Sequence, residues 1–210
     1  MNRRAWFAVT LLLLLGVLWG SGYALARYAM THGVAPLGYA FWQTLGPAVL
    51  LALIGCRQWR SARLSLALLG FFVITGLFGI AIPNSTMYFA SAHLPSGLLA
   101  VLVNTAPLLT YGFAWCCADE SYQPWRVLAV LLCVFGLMLL AWTAHSSTLM
   151  HDDALIWLAI AFISPVCFAA VAVFTSRRRP VQVTSMTLAV GMLTTAFICL
   201  LPVVIKTHAF

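Results

Sequence analysis

RRAWFAVTLLLLLGVLWGSGYALAR (Arg3–Arg27) decides the fold. Two arginines open it, Ala5 to Ala26 carries no charge, and one arginine closes it. An unpaired charge at the centre of a membrane helix costs at least ~2.5–3.5 kcal/mol, so a run that keeps its charges at its ends suits lipid. The run is long enough to cross ~30 Å of hydrocarbon as a helix. Ala24-Leu25-Ala26 also fits the small-residue cleavage site of a secretory leader. The length of the run favours a retained first helix, and an intact mass lacking residues 1–26 would reverse that reading.

Outward from this segment the pattern repeats. Basic clusters at Arg57/Arg60/Arg63 and Arg177-Arg178-Arg179 fall at alternate seams between apolar runs. Only 7% of the 210 residues are charged and 63% are hydrophobic, with a mean hydropathy of +1.01. Unbroken apolar runs of helical length argue against a β-barrel, whose strands alternate polar and apolar residues. The expected class is all-α, a polytopic helical membrane protein with seven transmembrane helices. The spans are read at about Trp6–Ala26, Leu37–Cys56, Leu64–His93, Ser96–Cys117, Trp125–Trp142, Ala154–Thr175 and Val183–Ile205. Of the 11 Lys and Arg, the nine at positions 3, 4, 57, 60, 63, 126, 177, 178 and 179 then share one side. Short Lys/Arg-rich loops stay cytoplasmic, so the N-terminus is expected inside and the C-terminus outside. The third span is too long for a straight helix, and Pro83 is its expected kink.

The net charge of +7 marks these loops and their contact with anionic headgroups rather than a nucleic-acid partner. The six cysteines lie in or at the ends of apolar runs without metal-ligand spacing, so no disulfide framework and no metal site is expected. His145, His151, Asp152 and Asp153 are read as a solvated loop. Ser21 and His93 lack the setting of a nucleophile and its base, so no enzyme and no cofactor is expected. No Asp or Glu falls within a span, which leaves His93 as the one conventional titrating group for coupled transport.

Polar residues inside the spans carry the functional reading. Ser21, Gln43, Asn84, Asn104 and Ser164 lie roughly 9–17 Å beneath the outer surface at 1.5 Å per residue. Singly, such residues serve as hydrogen-bonding glue between helices. As a set at one depth they point to a polar cavity, with Trp19, Tyr23 and Tyr88 as an aromatic wall for a flat organic solute. Pro107, Pro83 and Pro165 interrupt their helices where irregular backbone is tolerated beside a cavity. Shifting the sequence by 144 residues lays Leu12–Pro47 over Ile156–Gly191 with few identities, among them Pro36 over Pro180. Because the two segments run in opposite directions, they would form an inverted repeat.

The stretch Gly76–Leu140 resembles the drug/metabolite transporter superfamily of EamA type. The features are Ala90-Ser91-Ala92, Ser96-Gly97 opening the next helix, Pro107 within it, Glu120 in the following loop and Gly136 beyond. Leu18–Ala29 (LWGSGYALARYA) is similar to the family's first helix. The resemblance implies ten helices in two inverted five-helix halves around a central pathway. It divides this chain into a first five-helix repeat, 1–143, and a partial second repeat of two helices, 144–210. Gln43 stands where the family commonly has Arg, and the chain stops after seven spans. The resemblance implies a bacterial inner-membrane transporter that exports small organic metabolites or drugs by alternating access. Its partners would be a small-molecule solute and the lipid bilayer, together with a second copy or a partner chain if the pathway must be completed. The alternatives are a truncated, non-transporting subunit, or a seven-helix receptor, which would need the opposite orientation.

Overall fold

The computed structural model describes residues 3–55, 65–117, 153–180 and 183–209, with further helical positions at 124, 125, 128, 129, 131, 132, 135, 136 and 139. Six helices among the described residues are long and apolar enough to cross a membrane. They are α1 (Arg3–Thr31), α2 (Pro36–Ile54), α3 (Leu66–Ser91), α4 (Ser96–Cys116), α5 (Ala154–Arg178) and α6 (Ser185–Thr207). Seven spans were expected. The fifth of them, Trp125–Trp142, lies largely outside the described residues, and its described positions are helical.

Local chemistry sets the ends. Pro36 starts α2, where its missing N–H costs nothing. Ser65 and Thr184 accept backbone N–H bonds from Leu68 and Thr187 (both 3.2 Å) as N-caps of α3 and α6. The expected outer loop Arg27–Pro36 is shorter in the structure, because α1 continues to Thr31. The chain turns at Gly33, whose φ of +89° is open to glycine and strained for other residues.

α3 is the central element. Its first turns pack Leu68, Phe71 and Phe72 against Leu188 of α6, with Phe174 of α5 alongside. Its last turns place Tyr88 with Phe41 of α2 and Val204 of α6 on one side. On the other they place Met87 and Ala90 with Leu98 and Leu99 of α4 and Ala161 of α5. These clusters put the starts of α3 and α6 and the end of α5 at one end of the bundle. The ends of α1, α3 and α6 and the starts of α2, α4 and α5 lie at the other. Cys117, after α4, accepts a bond from Arg177 Nη2 at the close of α5. The chain from Cys117 to Asp153 therefore connects opposite ends of the bundle.

Close approach of α3 and α6 depends on glycine. A Cβ at Gly76 would lie 2.7 Å from the Met192 carbonyl oxygen, and one at Gly191 would lie 2.5 Å from the Phe72 ring. The kink expected at Pro83 takes a specific form. Leu77–Ala81 is a π turn in which the Ile82 N–H bonds back five residues to the Leu77 carbonyl. Pro83 then begins a regular α segment, so the wide turn absorbs the hydrogen bond that proline cannot make. α4 breaks similarly. Its helix pauses at Asn104-Thr105 and resumes at Ala106, with Pro107 in the first turn of the new segment.

Candidate functional site

A cavity of about 720 Å³ opens between α1, α2, α3 and α5. α1 supplies Leu15, Leu18, Trp19, Gly22 and Tyr23, which recur at the three-and-four spacing of one helix face. α2 adds Gln43 and Pro47, α3 adds Asn84, Met87 and Tyr88, and α5 adds Ser164 and Phe168. A neighbouring cavity of about 590 Å³ shares Leu15, Trp19, Tyr23 and Phe168, and extends to Asn104 and Pro107 at the break in α4. The two adjoin across the shared Trp19, Tyr23 and Phe168 side chains as a first and a second lobe. Each has the volume of a small-molecule pocket.

Of the nine residues expected along a solute pathway, Trp19, Tyr23, Gln43, Asn84, Tyr88 and Ser164 line the first lobe, and Asn104 and Pro107 line the second. Ser21 lines neither. It is exposed, and its Oγ donates to the Leu18 carbonyl at 3.0 Å. It stands two residues from Trp19, about 200° around the helix, so it leaves the cavity stripe. Pro47, Met87 and Phe168 were not anticipated. Helical spacing offered a signal, since Met87 is three residues past Asn84 and Phe168 is four past Ser164.

The polar groups are held in a fixed arrangement. Tyr88 is buried, and its Oη donates to Gln43 Oε1, joining α3 to α2 across the cavity wall. Tyr39 packs edge-on against the Tyr88 ring, with centroids 4.8 Å apart at 81°. Trp19 Nε1 donates to Tyr23 Oη at 3.5 Å, one turn along α1. With Oε1 engaged, the Gln43 amide presents its NH₂ as donor. The Asn84 side chain makes no hydrogen bond among the described residues and offers both a donor and an acceptor. Asn104 Nδ2 is turned back on the Ala100 carbonyl at 2.9 Å, which leaves its Oδ1 as acceptor. Ser164 sits 1% exposed on the α5 wall, one residue before Pro165.

Above this space Arg27 pins α1. Its Nη1 donates to the Leu94 carbonyl and, at 3.4 Å, to the Ser91 carbonyl. These carbonyls belong to the corner between α3 and α4, where the negative end of the α3 dipole also favours a cation.

No Asp, Glu, Lys, Arg or His is among the described residues lining either lobe. Nor do three His, Cys, Asp or Glu side chains gather anywhere among the described residues as a metal site would require. The chemistry on offer is aromatic stacking plus amide and hydroxyl hydrogen bonding. The profile of the EamA-like transporter family matches residues 6–142, about two thirds of the chain, taking in most of α1 and the whole of α2, α3 and α4. No curated protein matches the chain.

Proposed function

We propose, on the premise that the chain belongs to the EamA-like transporter family, that the two-lobed cavity is the solute pathway of an exporter working by alternating access. As a family member the chain is a multi-pass membrane transporter of small solutes. The finer reading is a carrier of flat, uncharged organic metabolites or drugs in a bacterial inner membrane, with the Arg3 end of α1 in the cytoplasm. The observation that carries it is the convergence of Trp19, Tyr23, Gln43, Asn84 and Tyr88, from three helices, on one cavity with no Asp, Glu, Lys, Arg or His among its described lining residues. Stacking and amide hydrogen bonds bind an aromatic solute, whereas a net charge in this space would be desolvated without a partner.

The family match ends at residue 142, which supports reading 1–143 as one five-helix repeat. The packing of α2 directly on α6 supports 144–210 as the start of an inverted second repeat, because α6 is the counterpart of α2 under the 144-residue shift. A second reading is favoured by α1, whose apolar face is exposed, with Trp19 at 59% and Leu15 at 55%. On that reading a second copy or a partner chain covers α1 and closes the cavity.

Proteoliposome uptake tests both. A neutral aromatic amide should be carried, and its quaternary-ammonium isostere should be excluded. Gln43→Ala with Asn104→Ala should lower uptake of the neutral solute, and Tyr88→Phe should raise its KM by releasing Gln43. Uptake unaffected by these changes rejects the site. Activity that appears only when a partner chain is added selects the second reading.

A further inference from the structure

A groove separate from the solute cavity runs along a neighbouring face of α3 and is closed by α5, α6 and Leu37 of α2. It measures about 510 Å³. Along α3 its wall is formed by Leu77, Ala81, Ser85 and Phe89, which recur every four residues and so share one face. Trp157 near the start of α5 and Val203 near the end of α6 complete it. From Phe89 to Leu77 is twelve residues, or ~18 Å along the helix, close to the ~15 Å of hydrocarbon in one leaflet. The upper end lies at the α3–α4 corner, where Trp157 stacks on His93 with centroids 3.8 Å apart at 9°. Tryptophan at that level is typical of the membrane interface. The rim is open, with Phe89 38% and Val203 44% exposed. The wall is almost wholly apolar, and its one anomaly is Ser85. The Ser85 Oγ is the single buried side-chain N or O atom without a hydrogen-bond partner among the described residues. Its neighbour Thr86 is satisfied by the Ile82 and Pro83 carbonyls, both at 3.1 Å. A buried hydroxyl without an acceptor is costly.

We infer that this groove holds one acyl chain of a phospholipid from the leaflet at the Ser91 end, with the lipid's ester carbonyl as the acceptor for Ser85. Length, apolar lining, an opening toward lipid and a polar group ~6 Å below the groove's upper end together match an ester-linked chain. A polar ligand would bury its own donors and acceptors along such a wall without partners. A change of serine rotamer brings Oγ toward the groove without moving the backbone.

The full chain in nanodiscs containing a phospholipid with a diazirine at mid-chain tests this. On illumination the label should attach to α3 and α6 groove peptides several-fold more than to the exposed Leu13 and Val17 of α1. Val203→Trp, a rim change that leaves the core intact, should abolish that excess. Against an ether-linked analogue, the wild type should prefer the ester lipid about fivefold, the worth of one hydrogen bond. Ser85→Ala should remove the preference while labelling of the groove persists. Even labelling over all lipid-facing helices overturns the proposal, as does exclusion of the label from the groove by the chain's own residues 118–152. An ester preference unchanged in Ser85→Ala overturns the role of that hydroxyl.

Discussion

Arg27 shows how one side chain can decide where a helix stops being free. Its guanidinium spans from α1 to the carbonyls of Ser91 and Leu94, and Leu94 is fully buried. Removing the donor leaves those carbonyls without their partner. Arg27→Met should therefore destabilise the protein by ~1–3 kcal/mol, while Arg27→Lys should recover part of the loss through its ammonium donor. Thermal unfolding in detergent, read by the fluorescence of the tryptophans, measures both. Ser21 and Arg27 also mark what could and could not be read in advance. Depth followed from counting residues along an apolar run, which is why eight of the nine anticipated residues line one lobe or the other. Direction around the helix required the phase of the whole α1 stripe, and Ser21 falls off it. Arg27 marked the end of an apolar run, yet a charge that finds carbonyls can stay helical, so α1 runs four residues past it.

At the scale of the element, α3 holds the structure together by contacts that permit no side chain. A methyl group at Gly76 meets backbone, the Met192 carbonyl oxygen at 2.7 Å and the Ala196 nitrogen at 3.2 Å, so neither helix can yield by a rotamer change. Gly76→Ala should cost ~1–3 kcal/mol through overpacking. Gly97→Ala, where nothing lies within 4 Å, is the matched control and should leave the melting temperature unchanged. The sequence showed that α3 was too long and that Pro83 would disturb it. It gave no sign that the disturbance is a π turn lying before the proline. Gly79 lies within that turn, where an added Cβ would stand 3.2 Å from Val171 Cγ1 of α5. The break in α4 was signalled more directly by Asn104-Thr105-Ala106-Pro107, where a helix-ending pair precedes a helix-starting proline.

At the scale of the whole molecule, charge and packing agree on which helix ends share a side. The clusters that join Leu68 to Leu188 and Ala26 to Val204 separate the two ends of the bundle, and Arg177–Arg179 lie with the former. Excess positive charge on one side predicts the cytoplasmic face. In a background lacking the native cysteines, His32→Cys should react with a membrane-impermeant maleimide on intact cells. Arg178→Cys should react only after the cells are opened. The reverse pattern would invert the orientation and turn the proposed exporter's cavity to the other side. Span positions were legible because hydropathy and charge act one residue at a time. The shared cavity was legible only as a depth, because its walls are chosen by which helices neighbour one another.

The attachment of α1 has a mechanical meaning. Its buried residues, Ala26 and Met30, and its long-range hydrogen bonds from Arg27 all lie near one end, while the rest of the described helix flanks the open cavity. A rod fixed at one end is a lever with its fulcrum there. Trp19 stands ~12 Å from Arg27 and Arg3 ~36 Å, so a swing that shifts Trp19 against a solute is magnified threefold at the far tip. On the proposed transport reading, a small adjustment of α1 around a solute at Trp19 would become a displacement about three times larger at its Arg3 end.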